Sequence, residues 1–238
     1  MIIFAVQKNI KKQKNITMSK KQKEAPILAD EVLGKSEAFV IKNKKPIVSA
    51  VVAIIVCVVA YLAYSTYVVA PKEAAADKAI FKAEQYFVNG DFETALNGDG
   101  INAGFMEIIE NHSGTNAANI AYAYAGICKA QQENYDEAIE LLKKFDGDDK
   151  VIAPMVKYAL GNCYAYKEDY SKAISTLLDA ADDAENLAVT PKCWMDAAAM
   201  YEKTGKSDKA LELYKRIKKE YPQAPEAMNI DKLINSAK

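Results

Sequence analysis

The sequence predicts an all-α protein: one membrane-spanning helix, then an α-solenoid of about four helix pairs with a C-terminal capping helix. Three observations carry this. Ile47–Val69 holds no charged residue. Beyond Pro71, similar helical segments recur at a nearly fixed spacing, the signature of stacked repeats. The net charge of -1 divides unevenly, so the two halves of the chain face different surroundings. Residues 1–45 carry eleven Lys against four acidic residues, whereas residues 71–238 carry 20 basic and 28 acidic residues. The expected organisation is a lysine-rich cytoplasmic tail over 1–45, a transmembrane helix over 46–70 and a repeat domain over 71–238.

The apolar run supports the first element. Its 23 residues make about 34 Å of helix, against a hydrocarbon core of about 30 Å. Twelve of them are Ile, Val or Leu, which favours insertion by several kcal/mol. Lys42, Lys44 and Lys45 precede the run, while the charges after it (Lys72 and Glu73, Asp77 and Lys78) balance. The positive-inside rule then puts the N-terminus in the cytoplasm. Tyr61, Tyr64 and Tyr67 suit the headgroup boundary at the far end. Val68-Val69-Ala70 loosely fits a cleavage site, but the apolar run and the tail before it are both too long for a signal peptide, so an uncleaved anchor is expected.

Within the tail, Met18-Ser19-Lys20-Lys21 reads as a start as well as Met1 does. From Ile27 to Ile41 the apolar residues share one helical face, which suits an interfacial helix on an anionic leaflet, a docking helix for a membrane partner, or a partly ordered tail.

The repeats align on alanines. Gly126-Ile127-Cys128-Lys129 leads to Tyr135-Asp136-Glu137-Ala138 and Leu142. Leu160-Gly161-Asn162-Cys163-Tyr164 leads to Tyr170-Ser171-Lys172-Ala173 and Leu177. Trp194, Ala198, Tyr201 and Gly205 lead to Ala210, Tyr214 and Pro222. Small residues at Gly126, Gly161 and Ala198 let helices approach closely, and larger ones fill the gaps. A degenerate copy lies upstream, with Ala83, Tyr86, Gly90, Phe92 and Ala95, interrupted by the turn chemistry of Asn97-Gly98-Asp99-Gly100. The end of the chain, Ala224–Lys238, reads as a polar cap.

This pattern resembles the tetratricopeptide repeat, departing from it at Lys129 and Ser207, where aromatic residues are usual. The whole arrangement also resembles the bacterial family of ancillary Sec translocon subunits, on its architecture and the Ala95–Gly100 run leading into Phe105–Ile109. That resemblance implies a single-pass bacterial inner-membrane protein with a periplasmic repeat domain. It implies partners among Sec translocon subunits, periplasmic folding factors or client polypeptides, with the bilayer engaged through Ile47–Val69. The alternative is a scaffold subunit of an envelope complex, in cell division or outer-membrane assembly.

Repeats of this family line a concave groove with their first helices. The corresponding residues are Ile120, Ala123, Ile127 and Gln131; Met155, Tyr158, Asn162 and Tyr166; and Lys192, Met195, Ala199 and Lys203. The peptide-binding candidates among them are Ile120, Ile127, Met155, Tyr158, Asn162 and Tyr166, with Asn162 expected to hydrogen-bond a peptide backbone. No catalytic constellation is visible, so the chain is expected not to be an enzyme and to need no cofactor. The single histidine, His112, reads as a solvated loop residue, and Asn111-His112-Ser113 is a chance-level glycosylation sequon. The four cysteines show no metal or redox spacing. Too few carboxylates alternate in the Asn97–Gly100 loop for calcium. The acidic repeat domain would repel nucleic acid.

Overall fold

The computed structural model describes residues 39–237. The expectations for the tail up to residue 38, including the alternative start and most of the 27–41 helix, lie outside these residues. The chain divides into two compact units, with the boundary between Thr66 and Tyr67.

In the first unit, α1 (Lys44–Tyr64) carries the apolar run and buries none of its residues. It is long and apolar enough to cross a membrane. From Ser65 the helix widens into a π-helical turn, Ser65–Val69. The predicted span therefore ends in a π turn and not in regular α-helix.

The described second unit is helical throughout. Four pairs follow one another: α2 (Ala70–Val88) with α3 (Phe92–Asn97), α5 (Asn116–Gln131) with α6 (Tyr135–Leu142), α7 (Ile152–Tyr166) with α8 (Tyr170–Ala184), and α9 (Thr190–Lys203) with α10 (Ser207–Glu220). A short helix, α4 (Phe105–Asn111), intervenes after the first pair. A 3-10 turn, Pro225–Ala227, and α11 (Ile230–Ser236) close the C-terminal end.

One local code ends the first helix of every pair. The residues at the tight turn, Gly90, Glu133, Glu168 and Gly205, all adopt positive φ, between 60 and 78°. Each stands five residues ahead of an aligned alanine: Ala95, Ala138, Ala173 or Ala210. The N–H of that residue donates to the carbonyl three back, as from Glu168 to Ala165 at 3.0 Å. The next N–H donates to the carbonyl five back, as from Asp169 to Tyr164 at 2.9 Å. The same two bonds recur at Gly90, Glu133 and Gly205, so a Schellman motif satisfies the helix-end carbonyls four times over. The second helix then begins at once. Asp91 and Asp169 accept from the N–H groups of Thr94 and Lys172, capping α3 and α8.

Burial follows the small residues. A methyl group on Gly126 would lie 2.6 Å from Cγ of Leu142, and one on Gly161 would lie 2.7 Å from Cγ of Leu177. Glycine is what lets the two helices of each pair close on each other there. The equivalent Ala198 is fully buried in a cluster that includes Tyr214. Three apolar clusters succeed one another along the chain: one from Ala76 to Leu141, one around Ala138, Leu142 and Cys163, and one from Leu177 to Ile230. Each first helix also touches the next, so α2, α5, α7 and α9 form one row. Stability is passed from neighbour to neighbour, as in a solenoid.

The first pair departs from the others. Its second helix stops at Asn97, and the chain turns through residues 98–104 before α4 resumes. Phe105 and Ile108 of α4 are fully buried. The Phe105 ring stacks on Tyr124 of α5, with centroids 5.1 Å apart. Two short helices thus stand where the last two pairs have one long second helix, α8 or α10.

Candidate functional site

The row of first helices carries the site. A cavity of about 770 Å³ opens against α5, α7 and α9, within the size range of clefts that hold small ligands or side chains. Ile127 of α5 and Tyr158, Asn162 and Tyr166 of α7 line it, together with Tyr135, Asp196, Met200 and Lys203.

Its walls are aromatic. Tyr166 is 70% exposed, yet its ring stacks on Tyr135 at 4.8 Å between centroids and 5° between planes. The pair makes a flat shelf at the cavity edge. Tyr135 is the first residue of α6, delivered there by the Schellman turn at Glu133.

Its floor is polar. The Tyr158 hydroxyl and the Asn162 amide face the Asp196 carboxylate as donors and favour its charged form. Asn162 also bonds to Tyr158. Burial pushes the Asp196 carboxyl above its ordinary value, and the two hydrogen bonds work against that shift. Burial, reinforced by the Asp196 charge, likewise raises the Tyr158 hydroxyl.

Of the six groove residues named from the sequence, the structure brings four together here: Ile127, Tyr158, Asn162 and Tyr166. Ile120 packs instead against the first apolar cluster. Met155 is 51% exposed and does not line the cavity. Both sit near the start of their helices, and the cavity lies toward the ends. Asn162 lines the cavity beside Asp196 and Tyr158. Asp196 itself was missed. Counting repeat positions led to its neighbour Met195, one residue away on the same helix. The available signal was a lone charge inside Cys193–Met200, a run otherwise of apolar and small residues.

Elsewhere, His112 follows α4 directly, and its carbonyl accepts from the Thr115 hydroxyl at 2.7 Å. Cys128, Cys163 and Cys193 are free and buried. Among the described residues, no group of three His, Cys, Asp or Glu is placed to hold a metal ion.

Repeated helix pairs, a shared turn and a groove on the first helices define a tetratricopeptide-like α-solenoid, a class whose members generally bind proteins. Residues 158–225 match the tetratricopeptide repeat family model. No curated protein sequence matches the chain. Among solved structures, the fold is similar to MamA, with a TM-score of 0.52 at 20% identity over 65% of this chain and 81% of that one. It is similar to a Podosopora anserina putative kinesin light chain with TPR-like repeats, at 0.54 and 13% over 69% and 86%. It is similar also to BtubC (BKLC) from P. vanneervenii, at 0.53 and 12% over 74% and 76%. At these identities the likeness is one of fold.

Proposed function

We propose that this chain is a membrane-anchored protein-interaction module whose groove holds an extended segment of a partner protein, and that it performs no chemistry. The groove lined by Tyr166, Tyr158 and Ile127 carries the reading. An aromatic and apolar wall with a few fixed polar groups suits an extended chain whose alternate side chains enter pockets. The anchor is Ile47–Val69, supported by the length and apolar character of α1, which buries none of its residues. The lysine-rich tail lies in the cytoplasm and the solenoid outside it, a topology supported by the charge asymmetry. The finer reading is a bacterial inner-membrane subunit associated with the Sec translocon or with periplasmic folding factors, and it rests on the architectural resemblance.

A photo-crosslinking residue at Tyr166 tests the groove. Crosslinks to partner polypeptides are expected there and not from Lys143, an exposed residue just after α6 that does not line the cavity. Equal crosslinking at both would remove the groove from the proposal. Protease added to spheroplasts should trim the solenoid and spare the tail, and protection of the solenoid would reverse the topology. Co-purification in mild detergent separates the finer readings: Sec subunits and folding factors support one, cell-division or outer-membrane assembly components the scaffold alternative.

A further inference from the structure

Resting on the groove reading, we infer that the pocket at Asp196 takes a cationic side chain, lysine or arginine, from the bound segment. The cavity has aromatic and apolar walls, yet two carboxylates, Asp196 and Glu133, also line it. Tyr158 and Asn162 of α7 line the same cavity and favour the charged form of the Asp196 carboxylate. A purely apolar pocket would need neither the charge nor the two groups that orient it, and burying such a charge is costly unless it is paired. Among the described residues, none of the ion pairs engages Asp196.

A further carboxylate points the same way. Glu226, in the 3-10 turn before the capping helix, repels the Asp196 charge. Its Oε2 is buried and has no hydrogen-bond partner. Asp196 lines the cavity, and Glu226 stands near enough for its charge to bear on Asp196. Lys192 acts on Asp196 only weakly, as the last of its electrostatic influences. Lys203, at the cavity rim, lies over the Tyr170 ring, 5.6 Å from its centroid. An incoming ammonium or guanidinium group would meet the carboxylate directly. Its aliphatic stem would rest on the Tyr135–Tyr166 shelf, as long basic side chains rest on aromatic faces.

The test uses the full chain in phosphatidylcholine nanodiscs and three fluorescent, end-capped nonapeptides. These alternate serine with leucine and differ only at the centre, which is lysine, norleucine or glutamate. Fluorescence anisotropy should show the lysine peptide binding about tenfold more tightly than the norleucine peptide, and the glutamate peptide weakest. Asp196→Asn should erase the lysine preference, so that the lysine and norleucine peptides bind the variant with equal affinity. Glu226→Gln should narrow the preference, which keeps the test usable if Asp196→Asn melts early by circular dichroism. Equal, saturable binding of the lysine and norleucine peptides would overturn the cationic pocket and leave the groove standing. Absence of saturable binding by all three would overturn the groove reading and this inference with it.

Discussion

The third helix pair and the first solve the same packing problem in different ways. In α7/α8 the second helix runs unbroken from Tyr170 to Ala184, and closeness comes from one missing side chain, Gly161 against Leu177. In α2/α3 the second helix ends after six residues, and the close approaches lie in the loop that follows, where backbone meets backbone. A methyl group on Gly98 would lie 2.5 Å from the Asn102 carbonyl oxygen, and one on Gly104 would lie 2.3 Å from the Gly98 nitrogen. Asp99 fastens this loop, accepting from the N–H groups of Ile101 and Asn102 at 2.8 and 2.6 Å and from the Tyr86 hydroxyl at 2.6 Å. The interruption is therefore a built element with its own code. A regular repeat can yield at a side chain, whereas this loop has only backbone to move.

That contrast predicts unequal costs for the same added methyl. Gly98→Ala should be the most damaging substitution. Gly98 has φ 82° and ψ 174°, a region that side chains avoid, in addition to the backbone clash. The combined cost is about 3 kcal/mol or more. In a domain of this size that lowers the melting midpoint by roughly 6–12 °C, readable by circular dichroism on the full chain in detergent. A shift smaller than that of Gly161→Ala would mean that the loop relaxes easily, and the contrast would fail.

Gly161→Ala comes next, at about 1–3 kcal/mol, because Leu177 gives some way. A thermodynamic cycle with Leu177→Ala sharpens the point. The double variant should lose less than the sum of the two single losses, since the clash disappears with the leucine. Simple additivity would show that the two residues do not press on each other.

How much of this was legible in the sequence follows the same division. Periodic features were readable, because each repeats a physical need: a small residue at Gly126 and Gly161, an alanine at Ala138 and Ala173, a turn after each first helix. The loop after Asn97 was readable only as turn chemistry. Its fastening depends on Tyr86, thirteen residues before Asp99, and no local pattern announces that pairing. The left-handed turn was hidden at Glu133 and Glu168, where glycine would have marked it. In the groove, Tyr158, Asn162 and Tyr166 follow from repeat position. Asp196 does not, because its role depends on Glu226, which lies beyond the last repeat.

Asp99 offers a pH test of the fastened loop. Its carboxyl is held well below the usual carboxylate range, first by the Asn102 backbone N–H and then by Tyr86 and the Asn102 side chain. A depressed folded-state value means stability that is present above the ordinary value of 3.8 and lost as the pH falls through the folded one. Asp99→Ala should therefore melt below the parent chain at pH 6, and the gap should shrink steadily as the pH is lowered beneath 4. Trypsin-free proteolysis by thermolysin should also cut the variant faster within 98–104. A gap that stays constant with pH would separate the loop's stability from the Asp99 charge.

Glu168→Gly compares the two kinds of turn residue directly. Gly90 and Gly205 adopt positive φ freely, while Glu168 is held there at 61°. Relief of that conformation is worth about 1 kcal/mol, offset in part by the greater freedom glycine gives the unfolded chain. The net expectation is a melting midpoint raised by roughly 1–3 °C. A lowered midpoint would mean that the glutamate side chain contributes a contact outweighing its strain.

The smallest effect is expected at the cysteines, where the regular repeats should show no reaction at all. Cys128 and Cys163 hold the same position in successive first helices, α5 and α7, and Cys193 lies near the start of the next, α9. All three are free and buried. Equivalent positions on neighbouring helices are separated by about 8–10 Å, beyond the roughly 7 Å that a disulfide tolerates between Cα atoms. Burial also removes their reactivity, pushing the thiols up to about 12, 11 and 12 respectively, so almost no thiolate exists near neutral pH. Lys129 follows Cys128 in the chain but is paired with Glu137 at 2.8 Å, so its charge is spent away from the sulfur. The chain purified without reductant should therefore show no alkylation of these residues by iodoacetamide at pH 8 when folded, and complete alkylation of all three after unfolding. Mass spectrometry of the digested protein reads both states. A peptide crosslinked between Cys128 and Cys163 would mean that the first helices approach more closely than a tetratricopeptide-like row permits, and the repeat register would then have to be redrawn.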